Sequence, residues 1–125
     1  GKDATLFVSG SLLPMGVEIR DTLAKQDIKL GLVSVPTVKP LDEKEVIRQA
    51  QSTGNVFTLE DHSIIGGLGS AVAEVLASAN ISANFNRFGI PDAFTKVTGS
   101  VPFLLDYNGI STTKIVKQIK KYVRK

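Results

Sequence analysis

An α/β layer fold, its sheet mostly parallel and covered by helices on both faces, is predicted by three features of this 125-residue sequence. Short β-rich runs alternate with stretches of helical apolar spacing. Helix-start signals stand at the heads of those stretches. The apolar content of 42% suffices for one buried core and is too little chain for two independent domains at this length.

The elements follow in order. Residues 4–9 (Ala-Thr-Leu-Phe-Val-Ser) read as a strand closed by the turn signal Gly10-Ser11. Pro14 suits the first turn of a helix that carries Val17, Thr22, Leu23 and Ala24 before Asp27. Residues 30–35 form a second strand. Pro36 and Pro40 bracket a loop, and Asp42 with Glu45 three residues on makes a capping-box-like start for a helix with Val46, Ile47 and Ala50 on one side. Residues 52–55 end it, and residues 55–59 form a third strand. Leu68, Ala71, Val72, Val75, Leu76 and Ala79 then recur at helical spacing, their small members permitting close packing on a sheet. Residues 83–88 read as a fourth strand. The irregular stretch from 89 to 108 is given a short helix after Pro91 and a small strand at 103–105. Ser111 or Thr112 caps a last helix whose apolar face is Ile115, Ile119, Tyr122 and Val123.

Charge and composition narrow the function classes. Residues 114–125 hold Lys114, Lys117, Lys120, Lys121, Arg124 and Lys125 without an acid, so the remainder carries 9 basic against 12 acidic side chains and the net +3 belongs to one helix. A solvated helix face, with cations near the C-terminal end of its dipole, accounts for that run, and neither nucleic acid nor a membrane is expected as partner. With no cysteine there are no disulfides and no thiolate metal sites, and the cytoplasm is the default compartment. No apolar stretch approaches the roughly 20 residues that span a bilayer. No secretory signal is visible, and a sequence opening on Gly1 and entering a strand almost at once reads as a fragment or subunit of something longer.

Candidate functional residues gather after the third strand. His62 is the only histidine, and Glu60 and Asp61 precede it at a strand's carboxyl end, where open α/β sheets bind ligands. Facing a substrate or partner is one reading. The other is that Asp61 and His62 satisfy backbone groups and cap the next helix; structure or interface is favoured over catalysis, because the histidine has no second base, thiol or hydroxyl partner in view. Gly66, Gly67 and Gly69 open a helix and invite an anion, but the dinucleotide fingerprint fails at Val72 and no phosphate-loop pattern occurs. Close approach of the helix to the sheet or to another subunit is the preferred reading. No catalytic, cofactor-binding or metal residue is assigned: one histidine without cysteine does not suit zinc, and Asp61 with Asp106 would need further ligands for magnesium. Phe85, Phe88 and Phe94 are taken as core, and Arg87 as pointing outward to an acidic partner.

Three ordered blocks carry a resemblance: Val38-Lys39-Pro40-Leu41-Asp42, the run from Leu59 to Leu76 with Glu60-Asp61-His62-Ser63 and the glycine cluster, and Gly89-Ile90-Pro91-Asp92-Ala93-Phe94. Together they resemble the C-terminal domain of transketolases over most of the sequence. The resemblance implies a three-layer α/β/α domain with a five-stranded mixed sheet, one strand antiparallel. It implies a parent enzyme that moves a two-carbon ketol unit between sugar phosphates, with thiamine diphosphate and magnesium held by other domains and none bound here. It further implies N-terminal thiamine-diphosphate-binding domains or a subunit as partner, a homo-oligomer in the full enzyme, and a structural, dimer-stabilising part for this domain with residues 60–69 at the contact. Deoxyxylulose-phosphate synthase and the β subunits of 2-oxoacid dehydrogenases share the glycine block, and a non-enzymatic binding module is the alternative from another class.

Overall fold

Five consecutive buried residues make β1 (Ala4–Val8) a strand with no face left for solvent, which places it inside the sheet. The computed structural model describes residues 1–123. In it β1 pairs in parallel with β2 (Leu30–Ser34) on one side and with β3 (Asn55–Ser63) on the other, and β4 (Asn84–Ile90) pairs in parallel with β3. The order is β2-β1-β3-β4. Thr5 stands opposite both Gly31 and Val56, and Leu59 opposite Phe88. The pairing of β3 with β4 slips between Leu59 and Ser63, then resumes with Ser63 opposite Ile90.

Alternation along the strands divides the core in two. Leu6, Val8, Phe57 and Leu59 face α1 (Leu13–Ala24) and α5 (Thr112–Val123), packing with Ile19, Leu23, Ile115 and Ile119. Phe7 and Val56 face α2 (Glu43–Thr53) and α3 (Leu68–Ser78), packing with Val46, Ala50 and Val72. Helices on both faces complete the three layers. A hydrogen bond of 2.8 Å from the Thr112 hydroxyl to Glu18 Oε2 ties the start of α5 to α1.

Helix ends follow their signals. A 3₁₀ turn, Gly10–Leu12, leads into α1 with its early proline. The Asp42 carboxylate accepts the Glu45 amide at 3.1 Å, and Gly54 closes α2 at φ 66, which L side chains rarely adopt. The reciprocal half of the capping box is not formed: Glu45 Oε1 instead accepts from Arg48 at 2.7 Å and Gln49 at 2.8 Å. The Ser111 hydroxyl, not Thr112, accepts the Lys114 amide at 3.4 Å at the head of α5. Of the basic run, Arg124 and Lys125 lie outside the described residues.

Three expectations need correction. The sheet has four strands among the described residues, all parallel, where five with one antiparallel were implied. Residues 103–105 are not a strand but the middle of α4 (Val101–Tyr107), because Ser100 caps the Phe103 amide at 3.3 Å and Pro102 sits in the first turn, a helix start that outweighs four apolar neighbours. The short helix expected after Pro91 begins only at Val101; residues 91–100 make a bend and then run without regular structure. Bounds otherwise shift by a residue or two, save that β3 runs on to Ser63.

Candidate functional site

The strand alternation that buries Val56 and Thr58 carries Glu60 to the same side, beneath the start of α3, where it is 1% exposed. A carboxylate there requires hydrogen-bonding partners. It finds them in the two leading amides of the helix: Oε1 accepts from Leu68 N at 2.9 Å and Oε2 from Gly69 N at 2.7 Å. These amides have no acceptor within a helix, and the helix dipole favours a negative charge at this end. The N-cap residue Gly67 has no side chain to do this, so the cap comes from the neighbouring strand.

This arrangement accounts for two of the glycines. A Cβ on Gly67 would collide with Glu60 Oε1 and lie 2.9 Å from His62 Nδ1. At Gly69 it would lie 2.6 Å from Arg87 Cδ and 3.0 Å from Thr58 Oγ1. Gly66 differs: it has open space around it, and its φ of 79 is what selects glycine.

Asp61 and His62 do not cap α3; Glu60 does, because it alone of the three is both inward-facing and long enough to reach under the helix. Asp61, on the opposite face, accepts the Ser11 hydroxyl at 3.2 Å and so ties the end of β3 to the turn after β1. The His62 ring is 62% exposed. Its Nδ1 lies 2.8 Å from the Ser63 carbonyl and 3.8 Å from Glu60 Oε1. Since a carbonyl only accepts, Nδ1 is the donor in that contact. Ser63 Oγ accepts the Ile65 amide at 3.2 Å, which engages that hydroxyl in the turn.

Arg87 does not point outward. It is half-buried, and Nη1 donates to the Ile64 carbonyl at 2.8 Å and approaches Ser70 Oγ at 3.4 Å, while that hydroxyl accepts the Gly66 amide at 2.9 Å. Odd positions of β4 face α3, which is why Arg87 lies under the glycine turn. The three phenylalanines also separate: Phe88 is buried, Phe85 packs partly against the other core, and Phe94 is 98% exposed. Sequence reasoning missed Arg87, Ser70 and Gly89 as parts of the turn. Gly89 falls one residue beyond the strand read at 83–88; within β4 it is an interior glycine whose added Cβ would lie 2.7 Å from Ile64 Cγ2 and 3.0 Å from the His62 carbonyl oxygen.

The chemistry open to this turn is therefore limited. No three histidine or acidic side chains stand together as metal ligands among the described residues. Both oxygens of Glu60 are committed, and they occupy the place an external phosphate would take at the helix start, so the residues present do not fit the diphosphate or magnesium of the implied cofactor. Beside the turn, an open groove of about 690 Å³ runs between residues 38–41 and α3, lined by Pro40, Ile47, Ala71 and Glu74. No described helix is long and apolar enough to cross a membrane.

Comparison with known proteins supplies a context for this geometry. Residues 1–115 match the family described as transketolase, C-terminal domain. An uncharacterized transketolase family protein of Sinorhizobium fredii is 43% identical over 125 residues, covering 98% of this chain and 36% of that protein. A protein of Methanocaldococcus jannaschii described as a transketolase C-terminal section is 38% identical over 125 residues, covering 100% of this chain and 38% of that one. The 1-deoxy-D-xylulose-5-phosphate synthase of Heliobacterium modesticaldum is 33% identical over 117 residues, covering 94% of this chain and 18% of the synthase. Among solved structures, a split-gene transketolase described as an inactive β4 tetramer matches with a TM-score of 0.88 at 34% identity, over 98% of this chain and 40% of that one. The chain thus spans little more than a third of the length of the first two relatives.

Proposed function

The chain belongs to the transketolase C-terminal domain family, and from that premise we propose that it is the C-terminal domain or subunit of a transketolase-like enzyme that transfers a two-carbon ketol unit between sugar phosphates. Its own part is structural. Thiamine diphosphate and magnesium belong to the remainder of the enzyme, N-terminal domains or a separate subunit, and this domain braces that remainder and stabilises the dimer. The observation that carries this reading is the α3 start: every carboxylate oxygen of Glu60 and the hydroxyl of Ser70 is engaged within the chain, so the turn is a rigid fixture rather than a reacting centre. What the turn leaves facing out is Asp61, His62, Ile65 and Gly66, and these form the contact with the neighbouring part of the enzyme.

Support for a separable part comes from the relatives, one described as a C-terminal section and one as the product of a split gene. The latter is described as an inactive β4 tetramer, which supports a part that self-associates and does not act alone. The match to a 1-deoxy-D-xylulose-5-phosphate synthase favours a second reading in which the same bracing part serves that synthase.

The test is capture of partners from native extract with the tagged chain, followed by reconstitution with the captured polypeptide. A partner or upstream extension that binds thiamine diphosphate, and whose ketol transfer requires this chain and is weakened by Ile65→Asp, supports the proposal. Transfer undiminished without the chain would refute it.

A further inference from the structure

Two stretches far apart in the chain face each other across the open groove of about 690 Å³ beside the glycine turn. One wall is the loop 38–41, the other is the flank of α3 within residues 70–79, and Gly66 and Gly67 stand at the end where α3 begins. Val38, Pro40, Ile47 and Ala71 give the groove an apolar lining, and none of the four is buried. An apolar surface of this kind, rimmed by charge, marks an interaction site.

The charges indicate what fits it. Glu43, Glu74 and Lys39 line the groove, all three are exposed, and none has an ion-pair partner among the described residues. Glu43 has a local reason to be acidic, since it stands in the first turn of α2, where the helix dipole favours a negative charge. Glu74 lies in the middle of α3 and has none. At the three- and four-residue spacings where a helix pairs its charges it meets Ser70, Ala71, Ala77 and Ser78, without a base. Two acids against one lysine leave the groove acidic, so the complementary occupant carries apolar side chains and a lysine or arginine.

The place of the groove indicates where that occupant comes from. It is continuous with Gly66 and Gly67, in the turn assigned above as the contact with the rest of the enzyme, and its walls draw on residues 38–42 and 59–76, two of the three blocks that carry the family resemblance. We propose that a segment of the thiamine-diphosphate-binding polypeptide lies along this groove, its apolar side chains between Pro40 and Ala71 and a basic side chain at Glu74. This rests on the reading of the chain as a bracing part and extends its contact from the glycine turn along the flank of α3.

Isothermal titration of the 125-residue chain with the thiamine-diphosphate-binding polypeptide of the reconstitution above, at low and at physiological salt, tests it. Glu74→Lys is expected to weaken binding about tenfold at low salt, and by less at physiological salt, where the exposed charges are screened. Ser78→Trp fills the groove from an exposed position and should weaken binding about tenfold at both salt concentrations. Because both side chains are exposed, circular dichroism and melting temperature should stay at the parent values, separating lost contact from lost fold. Parent-like affinity in either variant overturns the proposal. If Ser78→Trp changes only the sedimentation of the chain by itself, the occupant is a second copy and the proposal is likewise refuted. Loss of reconstitution in Ile65→Asp with parent-like binding in both groove variants would leave the function proposed above standing while this contact falls; ketol transfer undiminished without the chain would remove both.

Discussion

The Glu60 carboxylate occupies the space into which a side chain on Gly67 would project. One residue is glycine because the other is a buried acid, and the acid is tolerated in the core because the helix begun at that glycine supplies two amides to hold it.

Glu60→Ala should therefore be costly. It leaves the Leu68 and Gly69 amides buried without acceptors, at roughly 1–3 kcal/mol each, so urea unfolding is expected to show a loss of about 3 kcal/mol. Glu60→Gln keeps one acceptor oxygen and should fall between.

Gly67→Ala in the parent displaces the carboxylate from both amides and should cost about 1–3 kcal/mol. In the Glu60→Ala background the same change meets no carboxylate, only the largely exposed His62 ring, which can turn aside, and should cost little. The double-mutant cycle is expected to show strong coupling; additive losses would mean that Gly67 is required for some other reason.

Thr58 offers a gain. Its Oγ1 is buried with no hydrogen-bond partner, beneath Gly69. Thr58→Val keeps the shape and removes the unpaired hydroxyl, and should raise unfolding stability by about 1 kcal/mol.

Acid should weaken the start of α2. Hydrogen bonds from Arg48 first, then from Gln49, lower the Glu45 carboxyl from an ordinary value of 4.5 to about 2. A depressed folded-state value stabilises the fold above the ordinary value, and that contribution disappears as pH falls from near 4.5 towards 2. The unfolding midpoint of Glu45→Gln should therefore depend less on pH across that interval than the parent's. Lys114 and then Ser111 lower the Asp106 carboxyl in the same direction, so part of the slope will survive in the variant.

Much of the fold is legible because its signals are local. The strand at residues 4–8 and the starts of α2 and α5 announce themselves through β-branched runs and capping residues within a few positions. Residues 101–107 mislead because their apolar members show no period over so short a length, and only Ser100 and Pro102 distinguish a helix start from a strand. At the turn, sequence placed Glu60, Asp61, His62 and the glycines together, and they are together. Which of them does what depends on contacts eight and nine residues apart across the turn, and, for Arg87, on a second strand. Composition cannot rank Glu60 above His62; the parity of the strand, counted from buried Val56, does so.

The grip of β3 on α3 also makes a clock. The leading amides of a helix ordinarily exchange their protons with water quickly, since nothing in the helix holds them. Those of Leu68 and Gly69 are held by a carboxylate that water does not reach, so they can take up deuterium only when the strand and the helix part. Their uptake should be as slow as that of the central amides of β1 and β3, and any treatment that quickens these two protons alone would report the first step of the domain coming open.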